Sequence, residues 1–280
     1  MKNLKKVLKA IFTALIVFFF GQKVSGQIFG TVGSKNVITQ ERQLPDFNSI
    51  RIKGTTDVVI RQGDKTAVVV KADDNLIENI ITKVQGDFLV ITAEGSIRSY
   101  KKFEVLVTIN RLEAIEVYGC GDVESEGIIS GHELSILVNG SGDVELDLDF
   151  KKLTANINGS GDIEVSGING DLDANINGSG DFEASSVRLN DCKISVKGAG
   201  NVKMQGSAAI VMLNLAASGR IELQRLISED VSVQSSGSGN VYVNVNGSLN
   251  ARLSGSGNLK YLGNPVSVDV LSTGSGSVYK

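Results

Sequence analysis

Apolar and polar residues alternate with a period of two through the second half of the chain, on either side of short glycine-rich segments. Each segment reads Gly-Ser-Gly-Asp or a close variant, and its second glycine is taken here as the marker of one copy. The markers are Gly121, Gly142, Gly161, Gly180, Gly200, Gly219, Gly239, Gly257 and Gly276. Successive markers are 18 to 21 residues apart. Nine copies at so regular a spacing indicate a repeat architecture, in which each copy is one structural unit.

The alternation around each marker predicts β-strands. The residue two positions after the marker is apolar in every copy: Val123, Val144, Ile163, Phe182, Val202, Ile221, Val241, Leu259 and Val278. Positions four and six before the marker are also mostly apolar, whereas the residues between them are small and polar. Because strand side chains alternate between two faces, each repeat is predicted as a strand, a glycine corner, a second strand and a short return.

A repeat of about 19 residues cannot bury its own apolar face, but stacked copies form one continuous core. The chain is therefore predicted to be all-β, a right-handed parallel β-helix (a β-solenoid) with coils of 19–20 residues. The right hand follows from the preference of parallel β connections. A propeller is excluded because its blades need about 40 residues each. The row of Asn156, Asn175, Ser195 and Asn214 is expected to face solvent.

The corners have their own chemistry. The marker glycines are expected to be structural, because glycine adopts positive φ without a steric penalty and because the stacked corners leave little room for side chains. The residue after most markers is Asp or Asn, which tolerates tight turns and hydrogen-bonds its own backbone. These residues are Asp122, Asp143, Asp162, Asp181, Asn201, Asn240 and Asn258. The alternative is a calcium ladder, which Arg220 and Ser277 at the same position oppose. We therefore expect no metal and no cofactor.

The first 26 residues predict a signal peptide, with four lysines before an apolar run from Ile11 to Phe20 that is too short to span a bilayer. Residues 27–43 are expected to be a flexible leader. No cysteine lies near the cleavage point, so the protein is not expected to be a lipoprotein. Removing the segment, which carries five lysines and no acid, changes the net charge from −3 to −8. Such an acidic chain lacks the basic footprint that nucleic-acid binding needs.

Residues 44–118 are also rich in predicted strands and are expected to supply capping coils continuous with the repeats of 119–280. Segment 54–58 resembles a corner, with Thr56 at the marker position. Residues 73–77 place Asp, Asp and Asn before Leu and Ile, which is typical of the start of a helical turn.

Candidate catalytic residues are few, and no catalytic residue is assigned. The single histidine, His132, has no nucleophile or partner at a usable spacing. The alternative of a polysaccharide lyase or hydrolase is weakened because inverting hydrolysis needs carboxylates about 6.5–9.5 Å apart, whereas stacked coils hold them near 4.8 Å. Cys192 falls on an interior strand position and Cys120 in a corner, so the two are not expected to pair.

The chain resembles the DUF2807 family. The resemblance rests on segment 44–50 (Leu-Pro-Asp-Phe-Asn-Ser-Ile), Asp57-Val58, Asn75-Leu76, the Gly-Ser-Gly-Asp coils and Gly263-Asn264-Pro265. It covers roughly residues 40–280. Members are exported proteins, common in Bacteroidetes, described as autotransporter adhesin head domains with a GIN motif. The resemblance implies a β-helical fold and a surface or periplasmic location, and it carries no established catalytic residues.

These observations predict an exported, non-catalytic β-helical protein that acts as an adhesin or a cell-envelope interaction module. A carbohydrate-active β-helix enzyme and a self-associating envelope scaffold remain the alternatives. The expected partners are an envelope glycan or a surface protein, with a homo-oligomer through the flat polar face as a further option. The absence of Trp removes the most common aromatic platform for sugars.

Overall fold

The computed structural model describes residues 30–216 and 218–280. The expected signal peptide and the start of the expected leader lie outside the described residues. The strands are β1 (Thr31–Val32), β2 (Val37–Arg42), β3 (Ser49–Gly54), β4 (Asp57–Gln62), β5 (Ala67–Asp73), β6 (Ile80–Gln85), β7 (Phe88–Ala93), β8 (Ile97–Ser99), β9 (Phe103–Ile109), β10 (Ala114–Gly119), β11 (Val123–Ser125), β12 (Ile129–Val138), β13 (Val144–Ile157), β14 (Ile163–Gly178), β15 (Phe182–Gly198), β16 (Val202–Leu215), β17 (Ile221–Ser235), β18 (Val241–Val245), β19 (Ser248–Leu253), β20 (Leu259–Leu262), β21 (Ser267–Ser272) and β22 (Val278–Tyr279). A 3₁₀ turn covers Ile77–Asn79.

From β10 onward each coil pairs in parallel with the next, in the register that the repeat predicts. Val144 pairs with Ile163, and Ile163 pairs with Phe182, so equivalent positions of successive repeats lie above one another. The prediction of an all-β parallel solenoid is confirmed, and the stack has about nine turns.

The interior of the stack is one continuous apolar core. The row two positions after the marker is buried from Val123 to Leu259 and is partly exposed only at Val278. The row that contains Asn156 and Asn214 is half-buried or exposed, so the assignment of inward and outward faces is confirmed.

The return segment forms a third strand face instead of a short loop. We call the face before each marker sheet A, the face after it sheet B, and the return sheet C. In sheet C, Ile129 pairs with Leu148, and Phe150 pairs with Ile168. Phe150 and Ile168 are buried. The return is therefore part of the core, which gives each coil three sides.

Residues 44–118 extend the same stack toward the N-terminal end. Strand β3 pairs with β10, and β4 pairs with β11, so the corner between β3 and β4 lies next to the first glycine corner. Thr56 takes the marker position there and is buried. Beyond this coil, β7 and β9 continue the two sheets in parallel, and antiparallel β6, β5 and β2 complete the end.

The expected flexible leader is instead ordered over most of its described length. Strand β1 pairs with β8, and β2 pairs antiparallel with β5. The buried Asp73 carboxylate fixes the segment between them, because it accepts hydrogen bonds from the backbone N–H groups of Lys35 (2.9 Å), Lys101 (3.2 Å) and Lys102 (3.2 Å). The leader prediction is wrong here, since its polar composition hides these long-range contacts.

The helical turn expected after Asp73 occurs as the 3₁₀ turn Ile77–Asn79, but no side chain caps its start. Asp74 and Asn75 bond to the N-terminal segment: Asn36 donates to Asp74 Oδ2 (2.9 Å), and Asn75 Nδ2 donates to Val32 O (2.9 Å). Within the described residues no helix is long and apolar enough to cross a membrane.

Candidate functional site

The marker glycines lie in the corners and bring the backbones of successive coils very close together. A Cβ atom added to Gly161 would lie 2.2 Å from the carbonyl oxygen of Gly142, and one added to Gly180 would lie 2.1 Å from that of Gly161. Among the described residues, positive φ occurs at other glycines, such as Gly119, and at none of the nine markers. The expected lack of room for side chains in the stacked corners is confirmed, whereas the expected need for positive φ is wrong at the markers.

The Asp and Asn residues after the markers form a hydrogen-bonded ladder along the solenoid. Each backbone N–H donates to the side-chain oxygen one coil earlier. The bonds run from Asp143 N to Asp122 Oδ1 (2.9 Å), Asp162 N to Asp143 Oδ1 (2.9 Å), Asp181 N to Asp162 Oδ1 (2.7 Å), Asn201 N to Asp181 Oδ1 (2.7 Å) and Asn258 N to Asn240 Oδ1 (3.0 Å). These side chains bond the next coil, where we had expected them to bond their own backbone.

The ladder starts earlier than the glycine repeats, at Asp57, which accepts the N–H of Asp122 (3.2 Å). Burial raises the pKa of the Asp57 carboxyl above its ordinary value, although this hydrogen bond opposes the rise. The ladder is interrupted at Arg220, whose guanidinium pairs with Glu222 (3.2 Å) and offers no acceptor to Asn240. The described residues contain no group of three or more acidic, histidine or cysteine side chains placed to hold a metal. The hydrogen bonds of the ladder join successive corners to one another.

His132 is exposed and lines a cleft of about 590 Å³ where sheets A and C meet. The charged residues of this cleft are already paired: Lys152 with Glu133 (3.2 Å) and Arg111 with Glu113 (2.5 Å). Among the described residues no hydrogen bond joins His132 to a hydroxyl or a carboxylate. The cleft can hold a polar ligand, but it does not present an acid and a base in reactive positions. The spacing of residues in the sequence did not predict that Arg111 and Lys152 would lie in this cleft.

Sheet B carries a row of like charges on its outer surface. Glu124, Glu145, Glu164 and Glu183 are in register on successive coils, and three of them line a cavity of about 210 Å³. Lys203, which pairs with Glu183 (2.7 Å), ends the row. This surface repels polyanions.

The outer surface of sheet A carries a recess that extends over several coils. Two adjoining cavities of about 450 and 350 Å³ share Asn214 and Gln234. We call them together the axial groove. Its outward residues are Asp173, Asn175, Lys193, Ser195, Met212, Asn214, Ser232, Gln234, Arg252 and Leu271. They belong to coils that stack in register, so the groove runs across the strands. At about 4.8 Å per coil it is roughly 25 Å long.

The axial groove offers amides and hydroxyls, both signs of charge, and two exposed apolar side chains, Met212 and Leu271. Amides supply donors and acceptors at once, which suits ligands rich in hydroxyl groups. Sequence analysis placed Asn175, Ser195 and Asn214 on the outside but did not show that the sheet is recessed there.

Comparison with known proteins decides the family. The family model DUF2807, described as "Putative auto-transporter adhesin, head GIN domain", matches residues 46–205 and 196–265. The chain belongs to the DUF2807 family. No protein with a curated description matches it.

Solved structures share the fold of this DUF2807 chain. A putative adhesin from Parabacteroides distasonis is 25% identical, with a TM-score of 0.68 over 89% of this chain and 98% of that chain. A putative adhesin from Parabacteroides merdae is 22% identical, with a TM-score of 0.61 over 89% and 98%. A putative lipid binding protein from Parabacteroides distasonis is also 22% identical, with a TM-score of 0.65 over 89% and 99%.

Within this DUF2807 chain the candidate residues separate into distinct regions. The corner glycines and the Asp and Asn ladder stabilise the stack, and the axial groove lies on sheet A beside them. The two free thiols differ in solvent exposure. Cys120 is exposed in a corner, and Cys192 is buried in the interior strand row. Burial raises the pKa of the Cys192 thiol to about 12.

Proposed function

We propose that this DUF2807 protein is an exported, non-catalytic adhesin or cell-envelope interaction module. The observation that carries the proposal is the axial groove, a recess of polar side chains that continues over successive coils of sheet A. A surface of this kind suits a long ligand held by many weak contacts, because linked contacts add to the affinity. The family description supports adhesion.

The chemistry of the acidic residues supports binding over catalysis. A glycosidase needs one carboxyl group free to donate a proton and a second free to activate water or attack. In the corner ladder, Asp143 and Asp162 each accept a backbone N–H from the next coil. In the cleft beside His132, Glu113 and Glu133 are paired with cations. The alternative of a polysaccharide lyase or hydrolase is tested by incubating the protein with acidic polysaccharides and measuring chain cleavage.

The proposed partner is an envelope glycan that lies along the axial groove. Asn175 and Asn214 present amide groups in one outward row, two coils apart. Exposed Met212, in the neighbouring outward row, offers an apolar contact for the C–H faces of a sugar. Because successive coils contribute contacts at a regular spacing of about 4.8 Å, a long polymer gains more than a single sugar does. A surface protein is the rival partner.

The location proposed is the periplasm or the cell surface. The positive and apolar segment at the start of the chain supports export, and we expect the mature chain to begin at Gln27. Mass spectrometry of the protein purified from cells tests this directly, because retention of residues 1–26 would contradict the proposed cleavage.

Binding to isolated cell envelopes tests the proposal. The double variant Asn175→Ala with Asn214→Ala removes two amides from the groove, and Asn190→Ala is the matched control, since Asn190 is exposed and lies outside it. At about 1 kcal/mol for each lost hydrogen bond, the double variant should bind roughly tenfold to thirtyfold more weakly. The control should bind like the parent. Equal binding by all three proteins would refute the groove as the site, and glycosidase treatment of the envelopes distinguishes a glycan from a protein partner.

A further inference from the structure

The cleft beside His132 arises from a break in the repeat. Sheet C begins at the first half of β12, because the return of the coil before it, residues 110–113, is a loop and not a strand. Strand β10 pairs with β12 only from Ser135 onward, so among the described residues no strand lies against residues 131–134 on the N-terminal side. The cleft of about 590 Å³ lies at this gap. Small-ligand sites usually measure about 300–1,000 Å³, so the cleft is large enough for a single sugar.

The side chain of Gln62 closes one end of the gap. Its amide oxygen accepts the backbone N–H of Ser130 (2.9 Å), and its amide nitrogen donates to the carbonyl oxygens of Ser130 (2.9 Å) and Asn110 (3.1 Å). One side chain thus replaces a neighbouring strand at Ser130 and joins it to the start of the loop. The two walls of the cleft, the loop and β12, are therefore held together without a ligand.

Arg111 lies at the edge of the cleft and is held by a chain of hydrogen bonds from the interior. The hydroxyl of buried Ser49 donates to Asn48 Oδ1 (2.9 Å), and Asn48 Nδ2 donates to Glu113 Oε2 (2.7 Å). The other oxygen of Glu113 pairs with Arg111 Nη2 (2.5 Å). The Arg111 side chain is nevertheless 75% exposed. An exposed arginine usually loses side-chain entropy when it binds a ligand, whereas this one is positioned beforehand.

The hydrogen-bond donors left in the cleft match a carboxylate. Both oxygens of Glu113 have partners, but Nε and Nη1 of Arg111 have none among the described residues. A guanidinium binds the two oxygens of a carboxylate at once through parallel N–H groups. Lys152 supplies a second positive charge, and the hydroxyls of Ser135 and Thr154 can bond the hydroxyl groups of a sugar.

We propose that this cleft binds a sugar that carries one carboxylate, a hexuronic acid, and that Arg111 binds the carboxylate. Glu133 also lines the cleft and repels a second negative charge on the ligand. The sugar is the end of the glycan that follows the axial groove, because Thr154 of the cleft pairs with Asp173 of the groove in the next coil. This placement rests on the proposed function, and it adds the chemical class and the direction of the ligand.

The chain contains one histidine, which makes the cleft directly observable by nuclear magnetic resonance. The test uses the exported chain without a histidine tag, at constant pH and ionic strength. Sodium glucuronate should shift the ring-proton resonances of His132 until the site is saturated, with a dissociation constant on the order of 1 mM. Glucose lacks the carboxylate and should cause no saturable shift at the same concentrations.

Arg111→Gln should weaken glucuronate binding at least about tenfold, because a hydrogen bond to a charged group is lost. Arg188→Gln is the matched control: it removes the same charge, and Arg188 is exposed and lies outside the cleft. The control should bind glucuronate like the parent. Circular dichroism checks that both variants are folded. Arg111→Gln should also weaken binding to cell envelopes, and unchanged envelope binding would refute the placement of the glycan end in the cleft.

Glucose 6-phosphate distinguishes a carboxylate site from a general anion site. It should bind more weakly than glucuronate, because Glu133 opposes its second negative charge. No shift of His132 with glucuronate, equal shifts with glucose, tighter binding of glucose 6-phosphate, or equal losses in Arg111→Gln and Arg188→Gln would each overturn the proposal.

Free glucuronate occupies only the cleft, so its binding is independent of the envelope assay with the double variant of Asn175 and Asn214. If that variant loses envelope binding while the parent does not bind glucuronate, the cleft site alone is overturned. If glucuronate binds and the double variant keeps its envelope binding, the groove is refuted and the carboxylate site is supported.

Discussion

The close approach of coils at the marker glycines leads to a prediction. It distinguishes a requirement for glycine that comes from contact between coils from one that comes from a positive φ. In Gly161→Ala the new methyl group would lie 2.2 Å from the carbonyl oxygen of Gly142, where ordinary contact begins at 3.4 Å. The coils must therefore move apart locally by more than 1 Å. Two backbone hydrogen bonds to Gly140 O, from Ser160 N (2.9 Å) and Gly161 N (3.1 Å), would then be lost.

The expected cost of Gly161→Ala is large for a single methyl group. Each lost hydrogen bond costs about 1 kcal/mol, and overpacking adds about 1–3 kcal/mol. The free energy of unfolding should thus fall by about 3–5 kcal/mol. Gly127→Ala is the matched control, because Gly127 has φ of +84° and no atom within 4 Å of the added Cβ. Only backbone strain acts there, and it costs about 1–2 kcal/mol.

Urea unfolding followed by far-ultraviolet circular dichroism measures both variants against the parent. The urea concentration at the midpoint should fall substantially further for Gly161→Ala than for Gly127→Ala. The dependence of the free energy of unfolding on urea concentration is compared as a check on cooperativity. A loss at Gly161 equal to or smaller than the loss at Gly127 would show that the close approach of the coils does not select glycine at the markers.

Further predictions concern the ladder, the buried carboxylate and the thiols. Arg220→Asn should raise the free energy of unfolding by about 0.5–1 kcal/mol, since it restores an acceptor for the N–H of Asn240; a loss would contradict the ladder. Burial opposes ionisation of Asp73, but its three backbone N–H donors outweigh burial and lower its pKa. Its stabilising effect is thus complete above its unfolded-state pKa of about 3.9 and is lost as the pH falls through its lower folded pKa. Melting temperatures measured across this range should fall less steeply with acid in Asp73→Asn than in the parent. In the folded protein a thiol reagent should modify Cys120 and not Cys192, and mass spectrometry without reductant should find no bridge between them. A chelator should leave the melting temperature unchanged, because a bound calcium ion is not expected.

The inward rows were predictable because one position recurs in every coil. A single apolar residue predicts little, but Val123 repeated as Val144, Ile163 and Phe182 fixes the period, the register and the buried face together. The same argument placed Cys192 in the core, where it is buried. Stacking converts a weak local signal into a strong one, since each position is constrained by two neighbouring coils.

The end coils and the recess were not predictable in this way. Asp73 holds residues 35, 101 and 102, which are distant in sequence and occur only once. The role of the corner Asp residues was misread for a related reason: a turn motif suggests local hydrogen bonds, whereas the acceptor at Asp143 serves Asp162 in the next coil. The recess on sheet A is lined by residues of several coils, such as Asp173, Asn214 and Leu271, which are far apart in sequence and differ in type.

Residue type varies from coil to coil in the outward rows. This variation explains why the repeat predicts the fold but does not predict the ligand. Next to the nearly uniform inward rows, one outward row of sheet A runs Thr154, Asp173, Lys193, Met212 and Ser232 along successive coils. Because these side chains stack on no core neighbour, their identity changes with little effect on the register. The backbone thus supplies a fixed spacing of about 4.8 Å, and the outward residues set the chemistry presented at each step. Specificity for a long ligand must accordingly lie in the order of these residues along the axis, which is why the variants that test binding change outward positions and leave the corners intact.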